Sequence, residues 1–245
     1  MTADSTPDHS QASTRSFPNP LLRGLRLPDT IQSANPWYGT MRWGLRLLMP
    51  MVWKVRVFGR HNEPEEGGVV YISNHQSFLD PMLMSFALRR PMSYMARDTL
   101  FRMPGFRHII ESLNAFPVRR GTADTGAMKE AMRRLKAGRQ VVVFAEGTRT
   151  ADGSVGPFLP GVALLAQRAA EWTVPVVIDG AFEAWPRTQK LPSPGGIVVQ
   201  YGPPIARDEA RRHKPQEFID RIRDIIVEMQ ADVRRRAGKP ALDYK

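Results

Sequence analysis

The chain has 245 residues, 42% of them hydrophobic, and sets 35 Lys and Arg against 24 Asp and Glu for a formal charge of +11. That length buries one substantial core but not two full domains, and the lack of any cysteine excludes disulfides, thiolate metal sites and cysteine nucleophiles, in keeping with a reducing interior. The positive balance points to anionic partners; no nucleic acid is expected among them, because no basic-aromatic alternation, zinc-finger or RNP pattern occurs.

Residues 1–36 contain Pro7, Pro18, Pro20, Pro28 and Pro36 among many Ser and Thr, with no apolar block long enough for a secretory leader. They read as a disordered basic arm. Residues 37–62 are expected to form an amphipathic membrane-interface segment, in which Trp37, Trp43 and Trp53 punctuate apolar residues alongside Arg42, Arg46, Lys54 and Arg56. On a helical wheel Arg42 and Arg46 share one face, while Trp37, Met41 and Leu48 project from the other. That suits a helix lying in the interface, tryptophans at headgroup depth and arginines toward phosphate. The longest apolar piece, Leu47 to Trp53 broken by Pro50, falls short of the ~20 residues that a membrane span needs.

Residues 63–238 alternate β-rich runs with helical patterns. The runs Val69–Ser73, Met92–Ala96, Ala115–Val118, Val141–Ala145, Val174–Ile178 and Ile197–Tyr201 predict strands; Pro81–Leu88, Pro104–Leu113, Asp124–Ala137, Val162–Ala170 and a long segment after Pro215 predict helices. In the last, Phe218, Ile222, Ile225, Met229 and Val233 mark the face expected to cover the sheet. The alternation predicts an α/β fold, a single domain with a mixed, mostly parallel sheet flanked by helices. Residues 239–245 are read as a tail.

One stretch in this domain joins residue types that do chemistry. Asn74-His75-Gln76-Ser77-Phe78-Leu79-Asp80 puts a histidine and a carboxylate five positions apart, between the strand Val69-Val70-Tyr71-Ile72 and a helix opened by Pro81. An imidazole with a reference pKa of ~6.5 is a general base near neutrality, and a carboxylate beside it fixes its tautomer and stabilises the imidazolium. Asp80 ahead of Pro81 also fits a helix cap. Three loops carry basic or glycine residues after predicted strands or before a helix: Arg119-Arg120-Gly121, Glu146-Gly147-Thr148-Arg149, and Gly156 to Gly161. Ligands of open α/β sheets collect beyond the carboxyl ends of strands, where arginine forks grip phosphate. No metal is expected, since His9, His61, His108 and His213 are scattered, and no G-x-S-x-G elbow occurs.

Taken together, these residues resemble the glycerolipid acyltransferase family, enzymes that acylate 1-acyl-glycerol-3-phosphate and related acceptors. His75 and Asp80 match its H-x4-D block, Phe116-Pro117-Val118-Arg119-Arg120-Gly121 looks like the second block, Phe144-Ala145-Glu146-Gly147-Thr148-Arg149 the third and Val174-Pro175-Val176-Val177 the fourth. The resemblance implies an acyltransferase that moves a fatty acyl chain from a thioester of coenzyme A or acyl carrier protein to lysophosphatidic acid, giving phosphatidic acid, with no cofactor. It implies catalysis by His75 and Asp80 and acceptor binding by Arg120, Glu146, Gly147, Thr148 and Arg149; Glu146, itself an anion, is expected to orient an arginine or a glycerol hydroxyl. A peripheral seat on the cytoplasmic face of an anionic membrane follows from the same reading. Ala145, Ile178 and Leu159-Pro160 depart from the family pattern, which leaves another lysophospholipid or a glycolipid open as acceptor; a lipid-surface adaptor without turnover is the alternative outside catalysis.

Overall fold

The computed structural model describes residues 36–119 and 124–244, so the arm expected over 1–36 lies outside the described residues except for Pro36, which opens the first helix. Eight strands among them form one sheet: β1 (Arg56–Phe58), β2 (Val69–Ser73), β3 (Met92–Arg97), β4 (Ala115–Val118), β5 (Gln140–Phe144), β6 (Trp172–Asp179), β7 (Val198–Tyr201) and β8 (Ile205–Ala206). Their order is β1-β7-β6-β2-β5-β3-β4, with β8 paired to β6. The pairs from β6 through β2, β5 and β3 to β4 are parallel, and β7 and β8 run antiparallel to β6. This is the mixed, mostly parallel sheet that the alternation predicts. The six expected strands are all present, Val141–Ala145 displaced by one residue and Val174–Ile178 extended at both ends. The two unforeseen strands, β1 and β8, are three and two residues long, too short to carry a period.

Among the described residues the α-helices are α1 (Pro36–Trp53), α2 (Asp80–Phe86), α3 (Phe106–Ser112), α4 (Thr125–Lys136), α5 (Ala163–Arg168), α6 (Ala181–Ala184), α7 (Arg207–Ala210) and α8 (Pro215–Arg236), and burial on both faces of the sheet explains the unbroken apolar runs. Val70, Ile72, Val141, Val143 and Val177 pack under α4, α5 and α8. Val69, Tyr71, Val142, Val174 and Val176 face the other way, toward α1 and α2. Register aligns the carboxyl ends of β2 and β5, Ser73 beside Phe144, while β6, whose Val176 sits on the other side of Ser73, runs on to Asp179. The loops that follow β2 and β5 therefore leave the sheet side by side.

Of the segment 37–62 expected at a membrane interface, the part up to Trp53 is helical as α1, whereas Arg56–Phe58 joins the sheet as β1, and one face of α1 belongs to the domain. Tyr38, Met49 and Trp53 are buried; the Tyr38 hydroxyl accepts from Met92 N–H at 3.1 Å, and Trp53 Nε1 donates to Ser193 O at 2.9 Å. The arginines expected to point toward phosphate bond carbonyls of the domain. Arg42 Nη1 donates to Arg89 O at 2.6 Å and Arg46 Nη2 to Leu88 O at 3.0 Å, because those carbonyls lie just past the end of α2, where no further helical turn takes them. The opposite face stays apolar and open, with Trp43 65% and Met51 78% exposed beside Leu47 and Leu48. No described helix is long and apolar enough to cross a membrane.

Candidate active site

The site is built where β2 ends. Beyond Ser73 the side chain of Asn74 replaces the strand ladder, its Nδ2 donating to Ile178 O at 2.9 Å and its Oδ1 accepting from Ile178 N–H at 2.9 Å. The next residue, His75, is held by its main chain on both sides. Its N–H donates to Glu146 Oε1 at 2.9 Å, and its carbonyl accepts from Thr150 N–H at 2.8 Å. The imidazole is 5% exposed and stacks on Phe144, ring centroids 4.2 Å apart.

His75 Nδ1 lies 2.7 Å from Asp80 Oδ2. The same oxygen accepts the main-chain N–H groups of Gln76 at 2.6 Å and Ser77 at 2.8 Å. A carboxylate that takes two N–H donors is an acceptor at the third contact too, so Nδ1 carries the ring proton and Nε2 presents the lone pair. Nε2 makes no hydrogen bond among the described residues. The helix-cap alternative for Asp80 does not hold: α2 begins at Asp80 itself, with no side-chain capping bond at Leu79, and the carboxylate turns back into the loop. Ser77 is committed elsewhere, its Oγ donating to Trp185 O at 2.9 Å and accepting from Leu79 N–H at 3.2 Å.

The second loop supplies the neighbours. Glu146 takes the His75 main-chain N–H and that of Gly156, and burial pushes its carboxyl up to about 7 against those two bonds, with the nearby Asp80 charge adding to the rise. It grips the histidine loop, where an arginine or a substrate hydroxyl was expected. Gly147 has φ +69° and its N–H donates to Phe144 O at 3.1 Å, closing a turn that a side chain would strain; a Cβ there would also meet Leu159 Cδ1 at 2.8 Å. Thr148 is exposed. The guanidinium of Arg149 lies 3.5 Å from the ring centroid of Phe78, which is half exposed and neighbours Trp185 at 5.3 Å.

Arg120 and Gly121 lie outside the described residues. The described residues on either side of them are joined by Asp124, whose Oδ2 accepts from Arg119 N–H at 2.9 Å and whose Oδ1 caps α4 through Gly126 and Ala127. The Arg119 side chain is half exposed. His75, Asp80, Glu146, Gly147 and Arg149 thus share one edge of the sheet. Sequence reasoning missed Asn74, Gln76 and Phe144 as supports; the signal for the first two was the polar run Asn74-His75-Gln76-Ser77 after a buried strand, all of it fully or nearly buried.

The class is that of doubly covered, mostly parallel α/β domains, here with a carboxylate-oriented imidazole and an arginine at one edge of the sheet. The acyltransferase family model matches residues 54–179, about half of the chain, and the chain belongs to that family. A chloroplastic 1-acyl-sn-glycerol-3-phosphate acyltransferase of Arabidopsis thaliana is 28% identical over 172 residues, covering 69% of this chain and 48% of the relative. A 1-acyl-sn-glycerol-3-phosphate acyltransferase of Borreliella burgdorferi is 23% identical over 176 residues, covering 71% and 70%. This chain spans about half the length of the plant relatives it matches. The crystal structure of the 1-acyl-sn-glycerophosphate acyltransferase of Thermotoga maritima shares the fold, with a TM-score of 0.73 at 22% identity over 87% of this chain and 86% of that one.

Proposed function

We propose that this protein is an O-acyltransferase that transfers a fatty acyl chain from a thioester of coenzyme A or acyl carrier protein to the free hydroxyl of 1-acyl-glycerol-3-phosphate, producing phosphatidic acid. The observation that carries the reading is the 2.7 Å contact between His75 Nδ1 and a fully buried Asp80, which leaves Nε2 as the basic atom. Nε2 accepts the proton of the glycerol hydroxyl as its oxygen bonds to the thioester carbonyl carbon. The tetrahedral adduct then expels the thiolate, which takes the proton back from the imidazolium. Arg149, with Arg120, binds the acceptor phosphate, and Thr148 at the exposed rim contacts the glycerol. The names of the relatives support lysophosphatidic acid as acceptor.

The open face of α1 supports a seat on an anionic membrane: Trp43, Leu47, Leu48 and Met51 are exposed on a chain of formal charge +11. We place that seat on the cytoplasmic face, where acyl thioesters are made. Mixing purified protein with an acyl thioester and lysophosphatidic acid tests the chemistry. Diacyl product is expected, with turnover reduced about 10²–10⁴-fold by His75→Ala. No product from the native chain, or equal product from the variant, ends the proposal.

A further inference from the structure

The carboxyl-terminal end of α8 reaches across the domain to the loop that carries His75. Asp179, the last residue of β6, is 1% exposed, and an ionised carboxylate at that depth requires partners. Its Oδ1 accepts from Arg234 Nη1 at 3.0 Å and Gln230 Nε2 at 3.2 Å, and its Oδ2 accepts from Lys239 Nζ at 3.0 Å. Gln230 Nε2 also donates to Gly153 O at 2.9 Å. Gln76, the residue after His75, donates from Nε2 to that same carbonyl at 2.7 Å, and its Oε1 accepts from Phe182 N–H at 3.2 Å. Asn74, the residue before His75, is bonded to both main-chain groups of Ile178.

Both neighbours of His75 are therefore fastened to residues 153 and 178–182, and those in turn to Gln230, Arg234 and Lys239. Gly153 has φ +90°, a left-handed conformation that favours glycine, and a Cβ there would stand 3.3 Å from the Phe182 ring. That backbone turn presents one carbonyl to two side-chain amides.

We propose that Asp179, Gln230 and Lys239 are positioning residues for His75, resting on the reading of His75 as the base. None touches a reacting atom. Asp80 sets the tautomer of the ring and Glu146 holds one main-chain group; the tether from α8 sets where the ring stands relative to Arg149 and the incoming hydroxyl. Coupled buried hydrogen bonds restrict a loop to one arrangement, and a misplacement of about 1 Å at a reacting group costs on the order of 10²-fold in rate. Lys239, the first residue of the stretch 239–245 read from sequence as a tail, thereby acquires a task in a site far upstream in the chain.

Two full-length variants test this, Gln230→Met, which keeps volume and removes both donations, and Lys239→Met, whose side chain is 29% exposed in the native chain and whose loss leaves the core intact. Steady-state kinetics with an acyl thioester and lysophosphatidic acid, and the downfield proton resonance of His75 Nδ1–H, are read in parallel. The expected result is a fall in kcat of about tenfold or more, KM for both substrates within about twofold of native, a shifted or broadened Nδ1–H resonance, and recovery of both signals in Lys239→Arg. Folded variants with native kcat and a native resonance overturn the tether, as does a loss confined to KM. Should Gln230→Met fail to fold, Lys239→Met and Lys239→Arg decide alone. If the native chain transfers no acyl group, the functional reading falls while the resonance still judges the tether.

Discussion

At the scale of single residues, Asp80 and Glu146 divide the work of holding one imidazole. Asp80 accepts three N–H groups on one oxygen at 2.6–2.8 Å. Asp80→Asn retains an acceptor for the loop but removes the charge that stabilises imidazolium and weakens the preference for the reactive tautomer. Turnover is expected to fall about 10²–10⁴-fold with little change in KM, as steady-state kinetics will read. Glu146 acts on stability as well as on geometry. Folding raises its carboxyl from 4.5 to about 7, so between those values the folded chain keeps a proton that the unfolded chain has released, and stability falls as pH rises through that window. Denaturant unfolding at pH 5 and pH 8.5 should show native protein losing on the order of 2–3 kcal/mol more than Glu146→Gln over that rise. The H-x4-D pair was legible because both members sit in one loop. The place of Glu146 beside His75 was not legible, because its partner is the backbone of residue 75, which no side-chain pattern announces.

Individual elements show where periodicity succeeds and where it misleads. In α8 the predicted stripe is present, with Phe218, Ile222 and Val233 buried, yet the buried face also takes Ile219, Ile226, Gln230 and Arg234, while Ile225 and Met229 are only partly covered. A polar residue facing inward is invisible to a hydrophobic count. The same holds in α4, where Arg134 is fully buried: its Nε donates to Glu130 Oε1 at 2.8 Å, its Nη1 to Asn114 O at 2.7 Å, and its guanidinium lies 4.4 Å from the Phe116 ring centroid. Arg133 also bonds Glu130 from the solvent side, which softens the loss of its neighbour. Arg134→Ala is nonetheless expected to cost about 3 kcal/mol, read as a lower denaturant midpoint at unchanged slope. In α1 the wheel set Arg42 and Arg46 opposite Trp37, Met41 and Leu48, but the side it assigned to phosphate also carries the buried Trp53 and is taken by the domain, including the carbonyls of Leu88 and Arg89.

For the molecule as a whole, a charge of +11 and an open apolar face on α1 act together. Binding to vesicles that contain anionic lipid is expected to exceed binding to zwitterionic ones and to weaken with salt, as the screening length shrinks from about 10 Å at 0.1 M to about 3 Å at 1 M. Replacing Trp43 and Met51 together by serine should reduce vesicle binding about tenfold or more, given ~1.5–3 kcal/mol for each large apolar side chain buried, while leaving Arg42 and Arg46 at their carbonyls. Co-sedimentation at two salt concentrations measures both effects. Native binding that is indifferent to lipid charge, salt and these substitutions would remove the membrane seat from the proposal.

The amino-acid sequence alone determined the layer order, the six longer strands and the His75–Asp80 pair, because strand runs, helix periods and a five-residue loop spacing are local and each leaves its mark within about a dozen positions. Only the tertiary structure decided what surrounds that pair. Asn74 on Ile178, Gln76 and Gln230 on Gly153, and Lys239 on Asp179 join residues 60 to 104 positions apart. The first arises where β2 runs beside β6 and the others where loops and α8 pack against the sheet, so the partner of a buried amide or carboxylate is chosen by tertiary packing rather than by its neighbours in the chain.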